Sequence, residues 1–438
     1  MSNPQPTSTS TRRTLVKSSS LAAVGLGLNS PALALPSGRA RGDEPLRIAL
    51  VGCGNRGTGA ISQALSTAGP VKLVAMADAF EDRLQRALKI TLEHHGELVD
   101  VPEERQFTGF DAAQKAMDAD VDVVILTTPP GFRPMHFEYA VSKGLHVFME
   151  KPVATDAPGI RQVLAAAEES RRKGLKVGVG LQRHHDSGYQ ETMRRVQEGA
   201  IGDVLLMRCY WNSAGVWTYQ RKKEMTEMEY QMRNWYYFTW ICGDHIVEQH
   251  IHNLDVCNWL KGGPPVKAQG VGGRQVRVGP DTGEIFDHHM VEYTYADGTK
   301  MLSECRHQPQ TFGSVSEHAH GSEGTAQFNR YTISTTGGEK WRYREKPKNP
   351  YQVEHDELFA AIRSGADHNE AEYGATSTMT AIMGRMATYS GKQVTWDGAI
   401  SSETDLLPES FAWNTDPKVM PNADGSYPWA VPGITPPY

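Results

Sequence analysis

The sequence predicts an α/β fold in which a doubly wound parallel sheet is followed by a second domain. The apolar run Ile48–Val51 is typical of a strand buried on both faces of a parallel sheet, and it leads directly into the glycine-rich stretch Gly52–Gly57. A second apolar run, Val71–Ala77, ends at Asp78. Strand-like and helix-like runs then alternate as far as Pro152, as in successive βαβ units. The 438 residues exceed the usual size of one domain, so we expect two.

The stretch after the first strand fits the pattern G-x-G-x-x-G and indicates a dinucleotide site. Its glycines, Gly52, Gly54 and Gly57, would allow a tight turn, the close approach of a pyrophosphate and the close packing of a helix. Asn55 and Arg56 would lie in the first turn of that helix, whose free N–H groups and positive dipole end favour phosphate.

Asp78 favours NAD over NADP as the dinucleotide. It follows Gly57 by about 20 residues, where a carboxylate accepts hydrogen bonds from the adenosine ribose and repels a 2′-phosphate. The alternative is an ordinary βαβ unit in which Asp78 only ends a strand. The surrounding strand and helix pattern favours the cofactor site.

Composition excludes several classes of function. The formal net charge of −6 and the absence of a long basic run in the body of the chain argue against a nucleic-acid surface. The five cysteines show no C-x-x-C spacing and indicate buried free thiols rather than a disulfide or zinc framework. No apolar stretch is long enough to be a permanent membrane span.

Residues 1–34 are predicted to be a twin-arginine export signal. Arg12 and Arg13 precede the apolar segment Leu21–Leu28, and Ala34 ends a plausible cleavage site. The alternative is a disordered basic tail. Export by this route carries folded, cofactor-loaded proteins, so we expect a periplasmic or otherwise exported enzyme that holds its NAD tightly and regenerates it within the site.

The densest polar cluster in the sequence predicts a functional helix face. His245, Glu248, His252 and Asp255 recur at i, i+3, i+7 and i+10, which places them on one side of a helix. The alternative is a polar helix face that only contacts solvent. In that case lysines would be expected, but histidines outnumber lysines in this cluster. A metal site is the functional rival; because H-E-x-x-H is absent, we predict no metal.

Four motifs in order resemble the glucose–fructose oxidoreductase, inositol dehydrogenase and rhizopine-catabolism (Gfo/Idh/MocA) family. They are G-x-G-x-x-G, the acid after the second strand, Pro134-x-His136 and Glu150-Lys151-Pro152. The resemblance covers roughly residues 46–392. It implies a Rossmann domain over residues 46–152 and, over residues 153–398, a substrate-binding and oligomerisation domain with a large, mainly antiparallel open sheet. The implied cofactor contacts include Thr128, Pro129, His136, Glu150 and Lys151.

The resemblance also implies a catalytic group. Family members carry D-x-x-x-H on the polar helix, matched here by Glu248 and His252, and these act with the lysine of E-K-P, Lys151. A lysine cation suits a developing alkoxide, and a histidine suits the proton transfer. Because glutamate replaces aspartate, Glu248 is expected either to orient the imidazole or to hold a substrate hydroxyl.

Further side chains are expected to bind substrate. The predicted contacts are Arg183, Arg233, Trp235 and His245. Seven aromatic residues after the first strand of the second domain suggest a sugar-stacking wall, with core packing as the alternative; they are Trp211, Trp217, Tyr219, Trp235, Tyr236, Tyr237 and Trp240.

The sequence therefore predicts an NAD-dependent oxidoreductase acting on a secondary hydroxyl of a sugar, glycoside or polyol. The alternatives are an NAD-dependent redox-neutral glycosidase and a cofactor-bearing sugar-binding protein that does no chemistry. Residues 399–438 form a proline-rich tail that we expect to lie extended across a surface. An open sheet with a bare apolar face would be buried between copies, so we expect a homodimer or homotetramer.

Overall fold

A six-stranded parallel sheet forms the first part of the structure, a computed structural model that describes residues 44–438. Its strands are Leu46–Val51 (β1), Val71–Asp78 (β2), Gln106–Thr108 (β3), Val123–Leu126 (β4), His146–Met149 (β5) and Val177–Val179 (β6). They lie in the order β3-β2-β1-β4-β5-β6, and every neighbouring pair is parallel. From β1 the chain adds strands first toward one edge of the sheet and then, from β4, toward the other edge. Doubly wound sheets bind ligands at this point, where the strand order reverses. The predicted export signal lies outside the described residues.

Helices cover both faces of this sheet. They are Asn55–Leu65 (α1), Glu81–His95 (α2), Ala112–Met117 (α3), Arg133–Ser142 (α4) and Ala157–Arg172 (α5). Along β1, Ile48 and Leu50 pack in the cluster with α1 and α2, whereas Ala49 and Val51 pack in the cluster with α3, α4 and α5. This burial on both faces explains the continuous apolar run that predicted the strand.

The boundary predicted at residue 152 falls inside this sheet. We assigned the strand near Val177 to the second domain, but β6 pairs in parallel with β5 and α5 forms the crossover between them. A parallel neighbour requires such a crossover, and α5 buries its Ile160 and Val163 against the sheet side of the core.

A nine-stranded sheet dominates the rest of the chain. Its strands are Val204–Ser213 (β7), Lys267–Gly273 (β8), His288–Thr294 (β9), Lys300–His307 (β10), Ser314–Gly321 (β11), Gly324–Gln327 (β12), Thr332–Thr335 (β13), Lys340–Arg342 (β14) and Val394–Thr395 (β15). The order is β14-β13-β12-β11-β7-β10-β9-β8-β15. All pairs are antiparallel except β7 with β10. The large, mainly antiparallel sheet that the family resemblance implied is thus confirmed.

The later helices divide between the second sheet and other surroundings. They are Ser187–Gln197 (α6), Glu227–Arg233 (α7), Thr239–Cys242 (α8), His245–Glu248 (α9), Ile251–Lys261 (α10), Pro350–Ser364 (α11), Ala371–Ser390 (α12) and Trp396–Ile400 (α13). Helices α6, α9, α10 and α12 pack on the second sheet, α7 and α8 belong to a separate buried cluster, and α11 packs on the first sheet. Sixteen of the 20 residues of α12 are buried, because this helix contacts α5 on one side and β8 and β9 on the other. No helix among residues 44–438 combines the length and the apolar character that a membrane crossing needs.

The outer face of the second sheet is not the bare apolar surface that we predicted. Side chains alternate between faces along a strand, and the outward row across four strands runs Val271, Met290, Glu304 and Tyr210. Apolar and charged side chains thus share this face.

The proline-rich tail lies against the same chain. Residues 401–438 contain no helix or strand, yet Trp413 contacts the rings of Phe80 and Phe110, with centroids 5.2 and 4.6 Å apart. The tail therefore returns to the rim of the first sheet.

Candidate active site

The glycine turn after β1 exposes the N-terminus of α1. Gly52 has a φ of +95°, which favours glycine, and a Cβ at Gly57 would lie 2.0 Å from the carbonyl oxygen of Gly52. At Gly54 an added Cβ would meet no heavy atom within 4 Å, and no side chain caps the helix there. The first N–H groups of α1 are thus accessible to a phosphate, so the turn fits the pyrophosphate of a dinucleotide.

Asp78, at the end of β2, faces this turn. One carboxylate oxygen accepts the N–H of Cys53 at 2.6 Å and the other accepts the N–H of Phe80 at 2.9 Å. Burial raises the pKa of Asp78, and these two hydrogen bonds oppose the rise. The carboxylate is therefore fixed at the cavity wall, where its remaining lone pairs can accept from a ribose hydroxyl.

One cavity extends along the carboxyl ends of the parallel strands from Asp78 to His252. All eleven predicted cofactor residues line it: Gly52, Gly54, Asn55, Arg56, Gly57, Asp78, Thr128, Pro129, His136, Glu150 and Lys151. The three predicted catalytic residues also line it: Lys151, Glu248 and His252. Of the predicted substrate residues, Arg233 and Trp235 line the cavity, whereas Arg183 and His245 do not.

Glu150 is held rigidly in the cavity wall. Its carboxylate accepts the Nε–H of Arg56 at 2.5 Å, and its backbone oxygen accepts the Nε–H of Arg133 at 3.0 Å. A Cβ at Gly180 would lie 2.6 Å from the Glu150 Oε2, so glycine is required there. Next to this group, burial and then Arg133 lower the pKa of His136 to about 3, which keeps its imidazole neutral.

Lys151 follows β5 directly and forms an ion pair with Glu248. The Lys151 Nζ donates to the Glu248 carbonyl oxygen at 2.6 Å and to its carboxylate at 3.0 Å. Both side chains are mostly buried, at 11% and 15% exposure. Of the two roles predicted for Glu248, its contacts match neither directly: the carboxylate holds the lysine, which keeps one of its three N–H donors for a ligand.

His252 is a neutral imidazole at the same end of the cavity. Its Nδ1 is buried without a hydrogen-bond partner, and Trp211 stacks on its ring with centroids 6.0 Å apart. Burial, then the charges of Lys151 and Arg183, hold the pKa of His252 well below its usual range. Its other ring nitrogen is the one available to a ligand.

The predicted continuous helix is broken between α9 and α10. His245 is fully buried, donates from Nδ1 to Asp244 at 2.7 Å and stacks on His307 at 4.4 Å. Asp255 binds His184 and Ser377 at 2.8 Å each. The four polar residues therefore have three different surroundings: Glu248 and His252 line the cavity, whereas His245 and Asp255 are each buried elsewhere. Contacts with other elements, rather than helical spacing, position them.

Among residues 44–438, one group of side chains has the geometry of a metal cluster. Candidate ligand atoms of Asp244, His245 and His289 lie within 4.8 Å of one another. The second carboxylate oxygen of Asp244, however, already accepts the N–H of Phe286 at 3.0 Å and the hydroxyl of Tyr389 at 2.6 Å. We interpret this group as a hydrogen-bonded cluster that fixes the start of α9.

The predicted arginine contacts have different surroundings. Arg183 forms a buried ion pair with Glu317 outside the cavity. Arg233 lines the cavity, lies 4.0 Å from the centre of the Phe80 ring and pairs with Asp82 at 3.2 Å. Arg233 is thus placed at the nucleotide end of the cavity.

The seven predicted aromatic residues divide between cavity and core. Trp217, Tyr219 and Trp235 line the cavity. Tyr236, Tyr237 and Trp240 belong to a buried apolar cluster. The predicted stacking wall therefore consists of three rings, with Trp211 behind His252.

Tyr351 is a cavity residue that the sequence reasoning missed. It lies in the first turn of α11, its ring is 5.0 Å from the Arg56 guanidinium, and its hydroxyl accepts from Gln182 at 3.0 Å. Nothing local in the sequence around residue 351 signals this contact. Phe80, Arg83 and Phe110 at the nucleotide end were missed for the same reason.

A helix N-terminus freed by glycines, an acid on the neighbouring strand and a lysine–histidine pair in one cavity together fit the dinucleotide site of an NAD-binding Rossmann fold. The oxidoreductase family with an NAD-binding Rossmann fold matches residues 46–180, and the GFO/IDH/MocA C-terminal domain matches residues 189–327. The chain belongs to the GFO/IDH/MocA family.

Curated relatives and solved structures agree with this assignment. The chain is 29% identical over 259 residues to an inositol 2-dehydrogenase of Ralstonia nicotianae, which covers 58% of this chain and 66% of that protein, just under two thirds of its length. An aldose–aldose oxidoreductase of Caulobacter crescentus has a TM-score of 0.62 at 20% identity, over 80% of this chain and 100% of that one. A scyllo-inositol dehydrogenase of Lactobacillus casei with bound NAD(H) and scyllo-inositol has a TM-score of 0.61 at 21% identity, over 81% and 100%. At these identities the two structures show the fold.

Proposed function

We propose that this protein oxidises a secondary hydroxyl of an uncharged sugar, glycoside or polyol, with NAD as the acceptor. The observation that carries the proposal is the Lys151–Glu248 ion pair beside His252, in the cavity whose other end holds the glycine turn and Asp78. The curated relatives named inositol 2-dehydrogenase support the class of substrate.

The charges near Lys151 favour an uncharged substrate. Lys151 is paired with Glu248, Arg56 with Glu150, and Arg183 with Glu317. These three cations have carboxylate partners, and the Arg133 guanidinium donates to the backbone oxygens of Glu150 and Thr128. None of the four is therefore left unpartnered to bind a sugar acid.

The side chains can handle the proton and the charge of the reaction. NAD held by the glycine turn and Asp78 would supply the acceptor for the hydride that leaves the carbinol carbon. The free N–H of Lys151 donates to the substrate oxygen and stabilises the negative charge that develops there. The neutral His252 accepts the hydroxyl proton, which becomes strongly acidic as the carbon is oxidised, so a lowered pKa does not prevent the transfer.

Substitution of the two residues tests the proposal. We expect Lys151→Met and His252→Ala to lower kcat by about 100-fold or more, since each removes a group that acts on the reacting oxygen. Bound NAD should stay near that of the wild type in both variants. The thermal unfolding temperature should stay near that of the wild type in His252→Ala and fall in Lys151→Met, which leaves the buried Glu248 without its ion-pair partner. Wild-type rates in both variants would contradict the assignment.

A second experiment distinguishes the proposed oxidation from the two alternative functions. Incubation of the purified protein with myo-inositol and a panel of glycosides, without added NAD, should raise the absorbance of reduced nicotinamide. A keto sugar added as acceptor should then permit multiple turnovers. Glycoside cleavage without an acceptor would instead indicate the redox-neutral glycosidase, and no absorbance change despite binding would indicate a binding protein.

We also propose that the cofactor is retained between turnovers. The support is that Phe80 and Arg233 both line the cavity, that Arg233 contacts Phe80 and Asp82, and that Trp413 of the tail also packs on Phe80. Release of NAD would have to separate these contacts. Complete loss of NAD on simple dialysis would contradict this proposal.

Export by the twin-arginine route remains a proposal that rests on Arg12 and Arg13. Cell fractionation should find the wild type in the exported fraction and the Arg12→Lys, Arg13→Lys double variant in the cytoplasm. Equal distribution of the two proteins would contradict it.

We propose a homodimer or homotetramer formed through the outer face of the nine-stranded sheet. Val271 and Met290, neighbours on β8 and β9, are 70% and 38% exposed there. Light scattering should give a multiple of the chain mass, reduced by a Val271→Asp, Met290→Asp double variant. A monomeric wild type would contradict it.

A further inference from the structure

Trp217 exposes an indole at the cavity without an evident structural reason. It is 48% exposed and lines the same cavity as Lys151 and His252. The other tryptophan of residues 44–438 that is similarly exposed, Trp429 at 50%, lies outside the cavity and stacks against Arg274. Leaving so much apolar surface in water is unfavourable, which makes a ligand contact the natural explanation for Trp217.

The segment that carries Trp217 is fixed in place. It has no helix or strand between β7 and α7, but the Val216 carbonyl oxygen accepts the Tyr237 hydroxyl at 3.1 Å. On the other side, the Tyr219 N–H donates to the Asn234 side chain at 2.8 Å, and Asn234 is itself fully buried. Hydrogen bonds on both sides therefore present the indole in a defined position.

A series of ring contacts connects Trp217 with the catalytic end. Trp217 contacts Trp235 edge to face with centroids 6.1 Å apart, and Trp235 contacts Tyr236 at 5.4 Å. The Tyr236 hydroxyl is buried, and the Glu248 carboxylate lies close enough to contribute, after burial, to raising its pKa. Two ring contacts thus lead from Trp217 through Trp235 to Tyr236. Tyr236 lies near Glu248, the residue that holds Lys151.

We propose that Trp217, with Trp235 beside it, forms a stacking subsite for a second ring of the substrate. Resting on the proposed oxidation at Lys151 and His252, this makes the substrate a glycoside whose reacting ring lies at Lys151 and whose next ring or aglycone lies on the indole. The C–H faces of a pyranose carry slight positive charge and pair well with the negative face of an indole. A free polyol would leave Trp217 in water.

The test compares Trp217→Ala and Trp217→Phe with a matched control, Trp429→Ala. The substrates are pairs of a disaccharide and its free sugar: cellobiose and maltose with glucose, lactose with galactose, and myo-inositol as the free polyol. Both kcat/KM and binding by calorimetry are measured, the latter in NAD-loaded protein carrying Lys151→Met.

We expect the wild type to prefer a disaccharide over its free sugar. Trp217→Ala should lower kcat/KM for that disaccharide by about tenfold, mainly through KM, which corresponds to about 1.4 kcal/mol. The free sugar should change by less than about twofold. Trp217→Phe should restore most of the preference, and Trp429→Ala should behave as the wild type.

The outcomes separate the subsite from the proposed reaction. Disaccharide binding that depends on Trp217 without any oxidation would support the subsite and refute the reaction. Oxidation with equal losses on disaccharide and free sugar, or no disaccharide preference in the wild type, would refute the subsite. Loss of bound NAD from Trp217→Ala would place the indole on the cofactor and also refute it, as would the absence of both binding and oxidation.

Discussion

At the scale of single residues, buried carboxylates decide which cations the site can use. Glu150 holds Arg56, Glu248 holds Lys151 and Glu317 holds Arg183. Each pair is largely buried, so removing one partner would leave an uncompensated charge. Lys151 is the cation of this set that we expect to contact substrate, because its pairing leaves one N–H donor unused.

His185 gives a residue-scale prediction about pH. Burial alone would lower its pKa, but hydrogen bonds with Glu357, at 2.6 Å, and Glu370 outweigh burial and raise the pKa to about 10. A raised pKa in the folded state stabilises the protein fully below the pKa of the unfolded state, about 6.5, and this contribution is lost as pH rises toward 10.

The free energy of unfolding of the wild type should therefore fall between about pH 6.5 and pH 10. In the His185→Gln variant, urea unfolding should show less decrease over this interval, because the titrating group is absent. The control is His94→Gln, an exposed histidine at the end of α2. Identical pH slopes in the wild type and the His185→Gln variant would contradict the assignment.

At the scale of elements, α12 has to pass between the two sheets, and small residues make room for it. A Cβ at Gly384 would lie 1.9 Å from the Tyr293 hydroxyl, which donates to the Thr380 carbonyl oxygen of the same helix at 3.2 Å. Neither the helix nor the Tyr293 side chain can move far, since both are buried.

Gly384→Ala should therefore lower the free energy of unfolding by about 1–3 kcal/mol, as overpacking does in other cores. Removing the hydroxyl with Tyr293→Phe in the same chain should recover part of the loss. Urea unfolding of the two single variants and the double variant measures the coupling. Additive losses in the double variant would show that the hydroxyl is not the obstacle.

At the scale of the whole molecule, the C-terminal tail and Arg233 join distant parts of the chain at the nucleotide end of the cavity. Trp413 packs on Phe80 and Phe110, and Arg233 lies on Phe80. Three segments far apart in sequence thus meet beside the nucleotide end of the cavity.

Trp413→Ala should speed the release of bound NAD by about tenfold or more, the equivalent of about 1.4 kcal/mol of lost packing. Release is measured as cofactor remaining on the protein after timed gel filtration. Trp429→Ala is the matched control, since this tail tryptophan packs on Arg274, which does not line the cavity, whereas the rings under Trp413 do. Equal retention in both variants would show that the tail does not hold the cofactor.

Features that depend on residues close together in sequence could be predicted, whereas those that depend on contacts between distant segments could not. The glycine turn, Asp78 and Lys151 belong to local strand–turn–helix patterns, so their placement could be predicted. Tyr351 could not, because its position in the cavity depends on α11 packing beside α1.

The break between α9 and α10 was also beyond sequence reasoning. The spacing of apolar residues favoured one helix, but the His250 ring binds Ser303 on β10 at 2.7 Å, and His245 binds Asp244. These partners from other elements override the helical pattern. The assignment of β6 to the second domain failed similarly, because a three-residue strand carries too little sequence to show its neighbours.

The position of α11 has a consequence for how the protein is made. Leu358, Phe359 and Ile362 complete the apolar core on the α1 face of the parallel sheet. A ribosome releases all six strands of that sheet long before it has synthesised α11, and Trp413 emerges later still. The nucleotide end of the nascent chain therefore lacks the contacts of Trp413 with Phe80 and Phe110 until the tail has emerged. We therefore expect firm retention of NAD only after α11 and the tail have joined the first sheet, and not as soon as its six strands have folded.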